Sequence, residues 1–320
     1  MVKAIVLHEY GGREKLAPEE VPDPVPAAGE VLIRVKAAGV NPVDWKIREG
    51  QLAMRLPHRF PLIPGWDAAG IIAEVGEGVT SFTAGDAVYA YCRKPVVQYG
   101  TYAEYVVVPE TSVALKPSSL SFEEAAAVPL SGLTAYQSLF EAVDLQSGEV
   151  VFIQAAAGGV GSFAVQLAAQ QGAQVIGTAR AGNHDYVLAL GASRVIEYTA
   201  ENYREVVKAA FPDGVDVAFD LLGGDDTYTT MKLVKPRGRM VSLLVSEKAV
   251  DAARVMAADI AYRYVFVRPV AAHLEKLATL VDAGKLRVHL AATLPLEEAA
   301  RAHAMIESGH TRGKIVLTLG

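Results

Sequence analysis

From residue 149 onward, short apolar strand-like runs alternate with helix-like ones: EVVFIQA, SFAVQLAAQQG, QVIGTA, DYVLALGA, RVIEY, a helix around 201–210, VDVAFDLLG, a helix around 225–234, then GRMVSLLV. Strands separated by helices cannot pair as hairpins, so this alternation predicts a parallel sheet wrapped by helices, a doubly wound α/β fold. YRYVFV at 262 extends the pattern to a sixth strand. The first strand-to-helix turn reads QAAAGGVGSFAVQLA at 154–168. Its residues Ala157, Gly158, Gly159, Val160 and Gly161 would let backbone amides approach a pyrophosphate at the positive end of the helix dipole. Ala156 stands where the usual dinucleotide pattern has its first glycine, and the same glycines would also permit tight packing of helix on strand. About twenty residues further on, NAD-binding folds place an acidic residue on the ribose. Here that position falls in GTARAGN, where Thr178 is followed by Arg180 and Asn183. A cation and neutral donors suit a 2'-phosphate, so the expected cofactor is NADPH.

The remaining composition narrows the class. A length of 320 residues accommodates two domains, and 51% apolar with 21% charged residues describes a globular chain. The net charge of -6 is dispersed, with no basic stripe to follow a phosphate backbone, so nucleic acid is not an expected partner. Cys92 is the single cysteine, which excludes an internal disulfide and fits a reducing compartment. The segment MVKAIVLHEYGG lacks the apolar core of a signal peptide, and a cytoplasmic location is the expectation. Residues 150–179 carry no charge, yet five glutamines and five glycines interrupt them. A buried strand, a turn and a packed helix account for that stretch better than a membrane span does.

The first third reads as mostly β, from VLIRVKAAGV, GIIAEVG, DAVYAY and TYAEYVVVP. Pro18, Pro22, Pro24 and Pro26 lack amide donors and belong on an extended edge. Ser121 followed by Glu124 forms a capping box ahead of an alanine-rich helix, which puts a domain seam near 120. The tail LEEAARAHAMIESG and KIVLTL reads as a helix and a strand that rejoins the first domain.

Six stretches together resemble one family: 29–50 (GEVLIRVKAAGVNPVDWKIREG), 64–90 (PGWDAAGIIAEVGEGVTSFTAGDAVYA), GTYAEY at 100, PLSGLTAYQSL at 129, AAAGGVG at 155 and GKIVL at 313. It is the medium-chain dehydrogenase/reductase superfamily, in its zinc-free quinone oxidoreductase (zeta-crystallin-like) branch, and the likeness covers essentially the whole chain. The resemblance implies a GroES-like β domain over 1–121 plus 269–320 and a Rossmann NADP-binding domain inserted at 122–268, with cofactor and substrate held between them. It also implies a homodimer paired through AYRYVFV. By the same resemblance, Asn41 and Asp44 line the nicotinamide and substrate pocket and Thr134 sits near the nicotinamide. Tyr198 joins Arg180 and Asn183 at the adenosine phosphate. Leu243, Leu244 and Val245 follow the fifth Rossmann strand, and Arg312 and Lys314 lie in a loop that reaches the cofactor.

In zinc-dependent members of the superfamily the turn at 65–67 reads Gly-His-Glu and the NPVD region holds a cysteine. Trp66 replaces that imidazole here, no thiol stands between Asn41 and Asp44, and three protein ligands cannot be assembled. The expected chemistry is therefore zinc-independent hydride transfer from NADPH to a quinone, enone or enal. Trp66 would be a flat wall of the pocket, and Lys46 is the candidate cation for the developing oxyanion. Tyrosines used by bacterial quinone reductases and enoyl thioester reductases of this branch are absent near 46–52. An enoyl thioester reductase, and a catalytically idle NADPH-binding protein of crystallin type, are the alternatives.

Overall fold

The computed structural model describes residues 1–243 and 250–320. In chain order the elements are β1 (Val2–Val6), β2 (Ala17–Val21), β3 (Glu30–Val40), α1 (Pro42–Arg48), β4 (His58–Ile63), β5 (Asp67–Val75), β6 (Ala87–Tyr91), β7 (Val97–Tyr99), β8 (Tyr105–Pro109), β9 (Val113–Leu115), α2 (Phe122–Ala126) and α3 (Pro129–Tyr136). There follow β10 (Val150–Ile153), α4 (Gly159–Gln170), β11 (Gln174–Ala179), α5 (His184–Ala189), β12 (Arg194–Glu197), α6 (Tyr203–Ala210), β13 (Val215–Asp220), α7 (Asp225–Met231), β14 (Val234–Ser242), α8 (Ala252–Ala257) and β15 (Ala261–Tyr264). The chain closes with α9 (Ala271–Asp282), β16 (Leu290–Pro295), α10 (Ala299–Glu307) and β17 (Lys314–Thr318). It divides into two compact units, Met1–Leu133 with Arg268–Gly320, and Thr134–Val267.

The first unit is built on a seven-stranded sheet in the order β16-β17-β3-β5-β6-β9, with β8 also paired to β3. Val31, Ile33, Val35, Ile72, Val88, Val106, Ile315 and Leu317 fill its core. Register positions the polar residues of interest. Ile315 pairs with Val40 and Gly39 with Asp67, so Lys314 and Asp67 are both carried to the residue after β3, Asn41. Pro18 lies in β2, the second strand of a two-stranded sheet with β1, as its missing donor requires. The capping box at α2 is formed: Ser121 Oγ accepts from the Glu124 amide at 3.2 Å, and Glu124 accepts from the Ser121 amide at 3.0 Å.

The second unit is a six-stranded, wholly parallel sheet in the order β12-β11-β10-β13-β14-β15. Its first strand is central and the winding reverses between β10 and β13, which is the doubly wound Rossmann order. β10 is fully apolar because helices cover both faces of such a sheet. β14 starts at Val234, four residues before the expected GRMV, and the expected helix ends at Met231. Pro236 lacks a ladder donor and Arg237 adopts a φ of 64°, so pairing with β13 skips between Val215 and Val217 and resumes at Arg239. Among the described residues, no helix is long and apolar enough to cross a membrane.

Candidate active site

In the first unit the chain leaves β3 at Asn41 and enters α1, whose proline at the first position is pre-set for a helix. Asp44, in the first turn, accepts from the Asn41 amide through Oδ2 at 2.8 Å. Asn41 donates from Nδ2 to Asp67 Oδ2 at 2.9 Å, and its Oδ1 accepts from the Lys314 ammonium. Lys314 Nζ also reaches the Val40 carbonyl at 3.2 Å and Asp67 Oδ2 at 3.5 Å, and Asp67 Oδ1 accepts from the Leu130 amide at 2.8 Å. All four side chains are buried.

Two buried carboxylates thus lie near one ammonium, which pairs with Asp67 alone. Burial alone pushes Asp67 up and Lys314 down, and their mutual attraction opposes both shifts. Asp44 has no ion-pair contact of its own among the described residues. Burial, and then the charge of Asp67, carry it from 3.8 to about 7, against the lowering effect of the Asn41 amide, Lys314 and Tyr102. Its Oδ2 takes both protein donors, while Oδ1 is buried without a hydrogen-bond partner.

A second set of side chains reaches Asp44 from the opposite side. The Tyr102 hydroxyl donates to Asp44 Oδ2 at 3.1 Å and lies 3.3 Å from His303 Nε2. His303 Nδ1 is 3.2 Å from Arg48 NH1, and Arg48 in turn pairs with Glu307 at 2.7 Å, Glu49 at 2.6 Å and the Gly11 carbonyl at 3.0 Å. Arg48 is only 1% exposed. Burial and the Arg48 charge lower His303 to about 3, so the ring is neutral at neutral pH.

Trp66 follows Gly65, whose φ of 92° suits a glycine, and is itself buried, edge-to-face against Tyr91 with ring centroids 6.1 Å apart. The side chain before Asp67 is an indole, and both Asp67 oxygens are taken by Leu130, Asn41 and Lys314. Among the described residues no group of three His, Cys, Asp or Glu side chains is placed to hold a metal ion. Lys46 is half-buried, its ammonium 5.6 Å from the centre of the Trp45 ring. It lies two residues from Asp44 on α1, a spacing that points side chains apart. Burial and the nearby Arg55 lower its pKa. Arg312 is exposed and donates to His289 at 3.1 Å.

In the second unit the glycine turn links β10 to α4. Gly158 is the N-cap, with no side chain to satisfy the first-turn amides of Gly159, Val160 and Gly161. A Cβ on Gly161 would lie 2.2 Å from the Ala155 carbonyl, so this glycine is demanded by packing of helix on strand, whereas a Cβ on Gly158 would meet only that oxygen at 3.3 Å. Ala157 is buried, and Thr178 is held beneath the turn, accepting from the Ala155 amide at 3.2 Å while its carbonyl accepts from Ala156. Arg180, just past β11, donates from Nε to the Tyr198 hydroxyl at 3.1 Å, just past the neighbouring strand β12. The Asn183 amide closes a turn onto the Arg180 carbonyl at 2.8 Å. These three residues therefore meet at the carboxyl edge of the sheet, where open α/β sheets bind ligands. Thr134 is buried in α3, and Leu243 follows β14, half-buried. Leu244 and Val245 lie outside the described residues.

Tyr102, His303, Arg48 and Asp67 were not expected at this site. Tyr102 and Arg48 lie in stretches singled out by resemblance, GTYAEY and 29–50, without a role read for either, whereas His303 carries no local motif and lies 255 residues from Arg48.

Comparison with known proteins agrees with this architecture. A family model for the alcohol dehydrogenase GroES-like domain matches residues 27–118, and one described as zinc-binding dehydrogenase matches 190–317. The human synaptic vesicle membrane protein VAT-1 homolog is 33% identical over 349 residues, covering 100% of this chain and 87% of that protein. Two Arabidopsis thaliana proteins are also 33% identical. The chloroplast envelope quinone oxidoreductase homolog matches over 99% of this chain and 98% of its own length. The chloroplastic NADPH-dependent alkenal/one oxidoreductase matches over 99% and 79%. Among solved structures, the quinone oxidoreductase of Coxiella burnetii superposes with a TM-score of 0.88 at 34% identity, covering 100% of this chain and 99% of that one. A mycobacterial protein complexed with NADPH gives 0.89 at 28% identity over 100% of both chains.

Proposed function

The chain belongs to the medium-chain dehydrogenase/reductase superfamily, in its zinc-free quinone oxidoreductase branch, and from that premise we propose that it is an NADPH-dependent, zinc-independent reductase of quinones or of the activated double bond of enones and enals. The observation that carries the zinc-independent reading is the buried Asn41–Asp67–Lys314 arrangement: a lysine ammonium occupies the carboxylate beside Trp66, where metal-dependent members place zinc ligands. With no set of ligands to hold a Lewis acid that would lower a hydroxyl pKa, reduction of an electron-poor acceptor is the easier chemistry for these residues.

When bound, NADPH supplies the hydride. The residues of this chain hold and orient the reactants and manage charge. The first-turn amides of α4 take the pyrophosphate, with Arg180, Asn183 and Tyr198 at the 2'-phosphate. Thr134, Leu243 and Arg312 are the further cofactor contacts, whereas Lys314, buried with its ammonium taken by the Val40 carbonyl, Asn41 and Asp67, supports Asn41 from behind and does not meet the cofactor. Asn41 has one Nδ2 hydrogen left for an acceptor oxygen, Trp66 supplies an apolar wall, and Lys46, whose ammonium rests by the Trp45 ring, is the candidate cation from the same helix. The working form is a homodimer joined through the sheet edge at β15, in the cytoplasm.

The test is NADPH consumption with quinones, enals, enones and an enoyl thioester, beside a binding titration. Turnover on the first three classes, unaffected by a chelator, is the expected result; tight NADPH binding with no turnover on any acceptor would mark an idle protein. Arg180→Ala should raise the KM for NADPH about tenfold or more, the worth of a lost charge-assisted hydrogen bond, and leave that for NADH unchanged. Lys46→Ala should lower kcat with an enone; an unaltered kcat would remove Lys46 from the mechanism.

A further inference from the structure

We propose that Arg48, His303 and Tyr102 form a fixed-polarity positioning relay that leaves Oδ1 of Asp44 as the oxygen that takes up and releases a proton. The inference rests on the reductase reading only for the use to which that proton is put.

The argument follows from which groups can donate. Arg48 is a guanidinium, which donates and never accepts, so His303 Nδ1, 3.2 Å away, must be the acceptor. A neutral ring with a lone pair on Nδ1 carries its hydrogen on Nε2. Nε2, 3.3 Å from the Tyr102 oxygen, is then the donor in that pair. With its oxygen accepting from His303, the Tyr102 hydroxyl cannot turn its hydrogen back toward the ring, and it donates to Asp44 Oδ2 at 3.1 Å. Every hydrogen in the chain points toward Asp44.

The Asn41 amide also donates to Oδ2, at 2.8 Å. Two protein hydrogens converge on that oxygen, so a proton taken up by Asp44 is excluded from it. Oδ1 is buried and without a partner, which makes it the oxygen open to the proton. Because the guanidinium does not lose its proton, the chain is not a conducting wire to Glu307 and Glu49. It is a polarity lock, held from outside by the Arg48 ion pairs. The charged and titratable groups facing Asp44 are Asp67 from β5, Lys314 from β17 and Tyr102 from the segment before β8. Tyr91 of β6 is close enough to feel its charge, and Arg48 and Arg13 act on His303 from its other side.

Two measurements on the resting protein test this without any substrate. In histidine-labelled protein, 15N NMR should show His303 neutral with Nδ1 unprotonated and Nε2 protonated between pH 5 and 9; the opposite tautomer would overturn the relay. In a 13C-carboxyl titration, Tyr102→Phe should move the Asp44 midpoint up by about one pH unit, a tenfold gain in proton affinity, and an unmoved midpoint in a folded variant would overturn it. Should Tyr102→Phe not fold, the histidine 15N experiment on Arg48→Gln and Arg48→Lys decides. Glutamine can present either a donor or an acceptor to Nδ1 and should release the tautomer, whereas lysine, a donor only, should keep it. With an acceptor, Tyr102→Phe should shift the pH limb of kcat as far as the NMR midpoint, leaving the KM for NADPH unaltered. A kcat limb that stays put while the midpoint moves would overturn the use of this proton in turnover. Absence of turnover in the wild type would instead count against the reductase reading, with the relay still decided by NMR.

Discussion

Asp44→Asn is expected to make the protein more stable above neutral pH while abolishing most of its turnover. An ordinary aspartate titrates near 3.8, and Asp44 in the folded chain titrates at about 7. Between those values the folded state binds the extra proton, so stability falls as pH rises, and the full cost of the uncompensated charge is present above pH 7. A shift of that size corresponds to a few kcal/mol, about 4 at the upper end. Asparagine keeps an acceptor for Asn41 and Tyr102 and removes the charge. Thermal unfolding should show a gain at pH 8 that disappears below about pH 4, and a gain of equal size at both would show that the Asp44 carboxyl titrates alike in the folded and unfolded chain. If Asp44 holds the proton used in reduction, kcat should drop about a hundredfold, the ordinary worth of a general acid.

Lys314→Met should act in the opposite sense. It removes the ammonium that the Val40 carbonyl, Asn41 and Asp67 share, leaving two buried carboxylates with no cation between them. Breaking one side of a buried pair costs about 3–5 kcal/mol. The loss should be largest at high pH, since Asp67, already raised by burial, can escape the penalty by taking a proton. Unfolding midpoints at pH 5.5 and 8.5 measure this. A loss that does not change with pH would mean that packing of the lysine stem, and not its charge, holds the site.

Both effects arise from a cluster that was half legible in the chain. Asn41 and Asp44 stand in one short motif, and Lys314 was singled out through GKIVL, so resemblance named three of its members. What joined them was strand register. Gly39 opposite Asp67 and Ile315 opposite Val40 bring residues 26 and 273 positions away onto Asn41. Arg48 lay in the 29–50 stretch with no role read for it, and His303 had no local signal. An arginine late in an amphipathic helix ordinarily reads as a solvated charge, yet this one is 1% exposed because α10 packs over it. The glycine turn divides similarly: the strand-turn-helix context was plain, but that Gly161 answers to the Ala155 carbonyl at 2.2 Å depends on how closely α4 lies on β10.

By itself the sequence determined what is local or periodic: the parallel sheet from alternating strands and helices, the capped start of α2, the glycine turn, and the loss of histidine and cysteine ligands at a metal site. Those properties depend on neighbours within a few residues, where spacing and side-chain type decide the outcome. Tertiary structure alone decided which charges are buried and which are paired. Asp44 differs from a surface aspartate because Tyr102, Asp67 and Lys314 close around it from three separate strands or loops, and Tyr102 alone lies 58 residues away. Burial raises the cost of charge only when the whole shell is assembled, so the proton-holding character of Asp44 belongs to the fold and not to the NPVD motif that contains it.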